Sequence, residues 1–250
     1  MATWLSFKPF GVYYQDWNMD LQALTEDAVP VMWDDAKPSS HPIVVQNVSS
    51  ASAITSLFDS ITYSKGASIL RMLEKIAGSD RFQQGLREYL RENAFAAGDP
   101  TSFYNALFPD RAGAEFVRNW LEEQNYPLLT VKVTLENDST AIHFSQSRFI
   151  ISDALDPSGL DPNYRWKIPV LCNLGGPSAT KTIDFTLETE HEIQDLDHET
   201  FSWIKCNQNF QGFFITNYLL PSDWSSFSSI ISNQPNVTKF LFVEKIILFD

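Results

Sequence analysis

The residues best placed to do chemistry in this sequence are Tyr63 and the aromatic and polar residues just before it. Residues 58–73 read FDSITYSKGASILRML, so a short polar segment leads into Tyr63 and an apolar helical pattern follows. A phenol at a helix N-terminus, where amide groups and the helix dipole favour negative charge, can donate a hydrogen bond to an oxyanion. The same spacing also fits a structural tyrosine that packs its ring and bonds to a backbone carbonyl.

The helix that positions Tyr63 is predicted from the residues after it. Apolar residues at positions 69, 70, 72, 73 and 76 follow the spacing of one buried helix face. Ser64 is a suitable N-cap, and Gly66 in the first turn lets another part of the chain approach closely. We therefore expect the helix to begin just after Tyr63.

Helical patterns also flank this segment on both sides. Before it, we expect a helix within residues 1–14 that is interrupted at Pro9 and Gly11, and another over about 20–33 with a kink at Pro30. After it, three amphipathic helices are predicted within residues 79–124. From residue 130 the pattern alternates, and six or seven short strands indicate an antiparallel sandwich.

Composition argues against nucleic-acid binding and against a membrane-spanning segment. The formal net charge of −13 argues against nucleic-acid binding, which needs clustered lysine and arginine. The longest apolar stretch, residues 240–249, contains two charged residues and is about half the length of a spanning helix, so no transmembrane segment is predicted.

Cys172 and Cys206 are expected to be buried neighbours, either unpaired or bridged, and not catalytic thiols.

A metal site is not predicted from the histidines of this chain. The nearest approach to a zinc motif is His191-Glu192, but Asp195 stands where a second ligand histidine is required. His41 lies in a Pro-rich segment, where a histidine often satisfies loop backbone groups. Three glycosylation sequons occur, at Asn47, Asn137 and Asn236.

The motif around Tyr63 resembles one protein family over a long stretch. Residues 58–73 match the segment F-D-x-I-x-Y-x-K-G-A-x-[VI]-L-x-M-L of the aminopeptidase N-like zinc metallopeptidases, a gluzincin family. The segments SSHP at 39–42 and NYPLL at 125–129 are similar to further family segments. By position, the resemblance implies that Tyr63 stabilises the tetrahedral intermediate of peptide hydrolysis and that Phe58 lines the pocket for the substrate's N-terminal side chain.

The resemblance also implies an α+β, multidomain architecture. Residues 1–125 would be the helical C-terminal part of a thermolysin-like catalytic domain, and 126–217 an antiparallel β-sandwich. Residues 218–250 would be the truncated start of a C-terminal helical domain with a divergent tail. In the family the zinc ligands, including the HEXXH helix, precede the segment that residues 2–7 resemble. We therefore expect Zn in the full-length family and none bound by this chain.

Two functions follow as hypotheses. In the first, the chain is a fragment of a zinc aminopeptidase that acts on peptide substrates and is inactive by itself. In the second, it is a non-catalytic interaction or regulatory protein that associates through the apolar face where the rest of a catalytic domain would pack. The compartment stays open, and the resemblance allows a full-length parent that is membrane-anchored or secreted.

Overall fold

The computed structural model describes residues 1–136, 139–151, 160–161, 163–175, 180–196 and 201–220. The chain divides into two compact units, Met1–Asn125 and Tyr126–Asp250. The first contains helices and the second contains two β-sheets, so the architecture is α+β.

Eight α-helices form the first unit: α1 (Ala2–Tyr13), α2 (Met19–Gln22), α3 (Val29–Asp35), α4 (Ala51–Ser56), α5 (Gly66–Ala77), α6 (Ser79–Glu92), α7 (Pro100–Leu107) and α8 (Arg111–Leu121). Two π-helical turns, Ala23–Ala28 and Ile61–Lys65, lead directly into α3 and α5. The predicted interruption at Pro9 and Gly11 is wrong, since α1 continues through both residues. Burial of Trp4 anchors α1, and packing of this kind overrides weak local propensity.

The buried face of α5 forms the centre of the helical unit. Ile69, Met72 and Leu73 are fully or almost fully buried, as the apolar spacing predicts, whereas Ile76, which was assigned to the same face, is exposed. Trp120 of α8 is buried in the same unit. The N-cap of α7 is Asp99, whose carboxylate accepts a hydrogen bond from the Ser102 amide at 2.9 Å.

The second unit consists of seven strands in the described residues: β1 (Tyr126–Glu136), β2 (Ser139–Phe149), β3 (Ile168–Gly175), β4 (Thr180–Leu187), β5 (His191–Leu196), β6 (Trp203–Cys206) and β7 (Ile215–Leu219). One sheet has the order β5-β2-β1-β7 and the other has the order β4-β3-β6. Contacts between the sheets include the rings of Phe144 and Phe185, whose centroids are 5.2 Å apart. The Tyr218 hydroxyl also accepts a hydrogen bond from the Cys206 amide.

The prediction of a purely antiparallel sandwich is wrong at one strand pair. Strand β7 pairs with β1 in parallel, with Leu128 opposite Ile215. A parallel neighbour needs a crossover connection, and here the chain forms the second sheet before β7 returns to the first.

The two cysteines form a disulfide bond between adjacent strands. Cys172 of β3 lies directly opposite Cys206 of β6, and both residues are fully buried. The alternative that the sequence left open is therefore settled in favour of a bridge.

Several sequence predictions fall outside the described residues. They are the sequons at Asn137 and Asn236 and most of the expected C-terminal segment, from residue 221 to 250. Among the helices that the structure describes, none combines the length and apolar character needed to cross a membrane.

Candidate functional site

Tyr63 lies in the π-helical turn Ile61–Lys65 and is 47% exposed. Its amide donates to the Asp59 carbonyl at 3.1 Å, so helical hydrogen bonding begins before Tyr63 and not after it. The helix therefore begins about one turn earlier than the sequence predicts. Tyr63 lies in the first helical turn, with its ring accessible from solvent.

Ser64 is not the N-cap that the sequence suggested. Its hydroxyl donates to the Asp27 carboxylate at 2.8 Å, on the preceding π-helical turn. The amide of Thr62 instead donates to Asp59 Oδ1 at 3.0 Å. Ser64 lies inside the helical turn and not before it, so the carboxylate that precedes the turn, Asp59, accepts from its first amides.

Phe58 and Tyr63 form an exposed aromatic pair. Phe58 is 68% exposed, and its ring centroid is 6.5 Å from that of Tyr63, with the planes tilted by 41°. The structure thus brings the two predicted site residues together on the surface of the helical unit. The arrangement presents one phenol hydroxyl beside one apolar ring.

A buried ion pair fixes the turn that carries Tyr63. Lys65 Nζ lies 2.8 Å from Asp35 Oδ2, and the two side chains are 1% and 0% exposed. Lys65 also donates to the carbonyls of Asn125 and Glu123, while Asp35 Oδ1 accepts from the Asn125 amide and from Ser40 Oγ. This network ties the end of α3 and the end of the helical unit to the turn at Tyr63.

Sequence reasoning missed this ion pair, although one signal for it was present. Lys65 stands four residues before Ile69 and seven before Met72, so it belongs to the apolar stripe of the helix. A charged residue on a buried stripe requires a buried partner. Nothing in the local sequence identified that partner as Asp35.

His41 links the segment before α4 to the loop of the aromatic pair. Its Nε2 lies 2.8 Å from Asp59 Oδ2, and its Nδ1 lies 2.8 Å from the Pro42 carbonyl oxygen. Because both partners are acceptors, a doubly protonated ring satisfies both contacts. The predicted loop-satisfying role is confirmed at Pro42, and the contact with Asp59 is an addition to it.

The environment of Asp59 lowers its pKa below the usual value. Burial alone would raise the pKa, but the hydrogen bond from the Thr62 amide and the contact with His41 outweigh that effect. A carboxyl group with a depressed pKa stabilises the fold above its unfolded-state pKa, and this contribution is lost as the pH falls through the folded-state pKa.

The first prediction concerns how the free energy of unfolding depends on pH under acidic conditions. We expect the free energy of unfolding of the Asp59→Asn variant to fall less steeply than that of the unmodified protein below about pH 4, where the unfolded carboxyl titrates. Urea unfolding followed by far-UV circular dichroism over an acid pH series measures the difference. Parallel profiles for the two proteins would contradict the assigned environment of Asp59.

The described residues do not fit a zinc site. Within them, no three His, Cys, Asp or Glu side chains are grouped to hold a metal ion. His191 and Asp195 lie on strand β5, where residues four apart are separated by roughly 13 Å. His143 and His191 do stack, with ring centroids 5.7 Å apart, but His143 Nε2 is engaged with Thr134 Oγ1.

Comparison with known proteins identifies the class of protein to which this arrangement belongs. Residues 1–120 match the Peptidase family M1 domain. The chain is 35% identical to aminopeptidase A from Gloydius brevicauda and 32% identical to human glutamyl aminopeptidase, over 92% and 87% of its own length. It is 29% identical to aminopeptidase M1-D from Oryza sativa subsp. japonica over 87% of its length.

The chain is a member of peptidase family M1, and its relatives are aminopeptidases. It spans about a quarter of the length of the curated relatives that it matches, since the alignments cover 24%, 22% and 25% of those proteins.

Proposed function

We propose that this chain forms part of a zinc-dependent aminopeptidase that removes N-terminal residues from peptides. In this proposal Tyr63 is the residue that stabilises the transition state, and Phe58 contacts the N-terminal side chain of the substrate. The observation that carries the proposal is the accessibility of the Tyr63 phenol beside Phe58, on a turn held by a buried ion pair.

The chemistry of these two residues follows from their side chains. Attack on a peptide carbonyl places negative charge on its oxygen, and a fixed phenol hydroxyl can donate a hydrogen bond to that oxygen. The donor is most effective when it needs no reorganisation, which a rigid turn provides. The exposed ring of Phe58 offers apolar area against which a substrate side chain can pack.

The zinc that activates water in this family is not assigned to residues of this chain. The described residues do not fit the metal, and the 250-residue sequence contains no H-E-x-x-H pattern. We therefore derive no step through zinc, and we propose that the chain alone does not hydrolyse peptides.

The second prediction tests that statement directly. The purified 250-residue chain, supplied with zinc and a panel of aminoacyl fluorogenic substrates, is expected to release no fluorophore above the buffer rate. The physical reason is that no activated water nucleophile is generated near neutral pH without a bound metal. Zinc-dependent turnover that co-purifies with the chain and is abolished by a chelator would contradict the prediction.

A non-catalytic interaction protein is the second candidate function, and exposed aromatic residues favour it. Phe10, Tyr14 and Trp17 are each about half exposed, and the rings of Tyr14 and Trp17 stack with centroids 4.5 Å apart. An exposed apolar patch of this kind marks a surface suited to association.

The third prediction separates this candidate from the first. If the patch mediates self-association, light scattering should give a mass above that of one chain, and Trp17→Ser should return it to the monomer value. Exposed Phe95, far from these residues in the sequence, provides a matched control as Phe95→Ser. If the unmodified chain is a monomer at every concentration measured, the patch does not mediate self-association.

A further inference from the structure

The feature that carries a further inference is the exposed turn at Asn47. Of the three N-x-[ST] sequons, Asn47-Val48-Ser49 lies wholly within the described residues. Asn47 and Ser49, which provide the acceptor amide and the hydroxyl of the sequon, are both exposed. The residue between them is valine, so the sequon meets the requirement that proline be absent there.

The turn projects from a segment that is anchored on both sides. Upstream, the Val44 amide donates to the Leu121 carbonyl at 2.9 Å. Downstream, Ser50 Oγ accepts from the Ala53 amide and caps α4. Between these anchors Asn47 adopts a left-handed conformation, with φ of 58°, which asparagine tolerates better than most residues.

The Asn47 side chain is not used by the fold. Its amide forms no hydrogen bond with the residues that the structure describes. A substituent on the amide nitrogen would therefore break no hydrogen bond to the described residues. The exposure of residues 49–52, which continue into α4, leaves space around the turn for an attached group.

A second, independent observation concerns the compartment in which the chain folds. Cys172 and Cys206 form a disulfide whose two residues are fully buried. Structural disulfides form and persist in oxidising environments such as the endoplasmic reticulum lumen and are rare in the cytosol. Attachment of glycans to N-x-[ST] sites takes place on surface loops of proteins that enter that route.

From these two observations we propose that Asn47 is an N-glycosylation site. The acceptor is the Asn47 side-chain amide, and the donor is an oligosaccharide linked through N-acetylglucosamine to a lipid pyrophosphate. A bond forms between Nδ2 and the anomeric carbon of the sugar while the bond from that carbon to the pyrophosphate oxygen breaks. The lipid pyrophosphate leaves with the electron pair, and the amide nitrogen loses one proton. The reaction involves no oxidation or reduction.

The test uses the whole 250-residue chain, secreted from eukaryotic cells with a cleavable signal peptide. An Asn137→Gln/Asn236→Gln background leaves Asn47 as the only sequon. We expect the secreted protein to shift to higher mobility after treatment with peptide N-glycosidase F. Mass spectrometry should find Asn47 converted to aspartate at most copies of its peptide.

Three variants at the turn distinguish the glycan from other changes. Asn47→Gln and Ser49→Ala should abolish the mobility shift, and Ser49→Thr should retain it, because a threonine hydroxyl also completes the sequon. An unmodified Asn47 peptide from the secreted, disulfide-bonded protein would overturn the proposal. A shift that survives Asn47→Gln would also overturn it.

Discussion

Replacing Tyr63 with phenylalanine is expected to lower kcat/KM for peptide hydrolysis about a hundred- to a thousandfold, the usual effect of removing one oxyanion donor. The measurement uses a chimera in which residues 1–120, which match the family domain, replace the corresponding part of the Gloydius brevicauda aminopeptidase A. The substitution removes only the hydroxyl. The ring and its contact with Phe58 remain, so the loss should appear mainly in kcat.

A matched tyrosine elsewhere in the helical unit provides the control. Tyr13 is 81% exposed, and its hydroxyl has no assigned role in the site. Tyr13→Phe should therefore leave kcat/KM of the chimera unchanged. Equal activity of the unmodified and Tyr63→Phe chimeras, with both folded and loaded with zinc, would contradict the role proposed for Tyr63.

Replacing Lys65 with methionine is expected to destabilise the helical unit by about 3–5 kcal/mol. The substitution leaves the Asp35 carboxylate buried without its cation, and removing one member of a buried pair carries this large penalty. Urea unfolding of the 250-residue chain measures the change in the free energy of unfolding. Helical circular dichroism isolates the response of the first unit from that of the β-strands.

Two comparisons make the Lys65 experiment specific. Lys37→Met removes the exposed pair with Asp34, whose side chains are 57% and 48% accessible, and should cost less than about 1 kcal/mol. The double variant Lys65→Met/Asp35→Leu should recover part of the loss, because it removes the uncompensated charge. A Lys65→Met variant no less stable than Lys37→Met would show that the buried pair does not hold the unit together.

Tyr63 and Lys65, the residues changed in these two experiments, lie in the same turn of the chain. Lys65 follows Tyr63 by two residues, and its ammonium group lies in the interior while the phenol faces solvent. The turn therefore cannot shift far without exposing Asp35 to solvent or leaving its buried carboxylate without a cation. A rigid donor needs this kind of support, because misplacement of a hydrogen-bond donor weakens transition-state stabilisation steeply.

Local periodicity in the sequence determined most of the secondary structure. The apolar stripe of α5, the Asp99 cap of α7 and the alternation in β1 and β2 depend on residues a few positions apart. Phe58 and Tyr63, which the resemblance named as site residues, are five residues apart, so their closeness in the structure follows from the local chain. Each of these features is set by near neighbours in the chain, so the sequence contained enough information to predict it.

Only the tertiary structure decided which distant residues meet. Asp35, Lys65 and Asn125 converge although Lys65 and Asn125 are 60 residues apart, and the parallel pairing of β7 with β1 joins strands separated by most of the second unit. The disulfide required β3 and β6 to become neighbours in register. Such contacts depend on chain topology and on the burial of charge, and neither quantity has a local period that a sequence pattern can reveal.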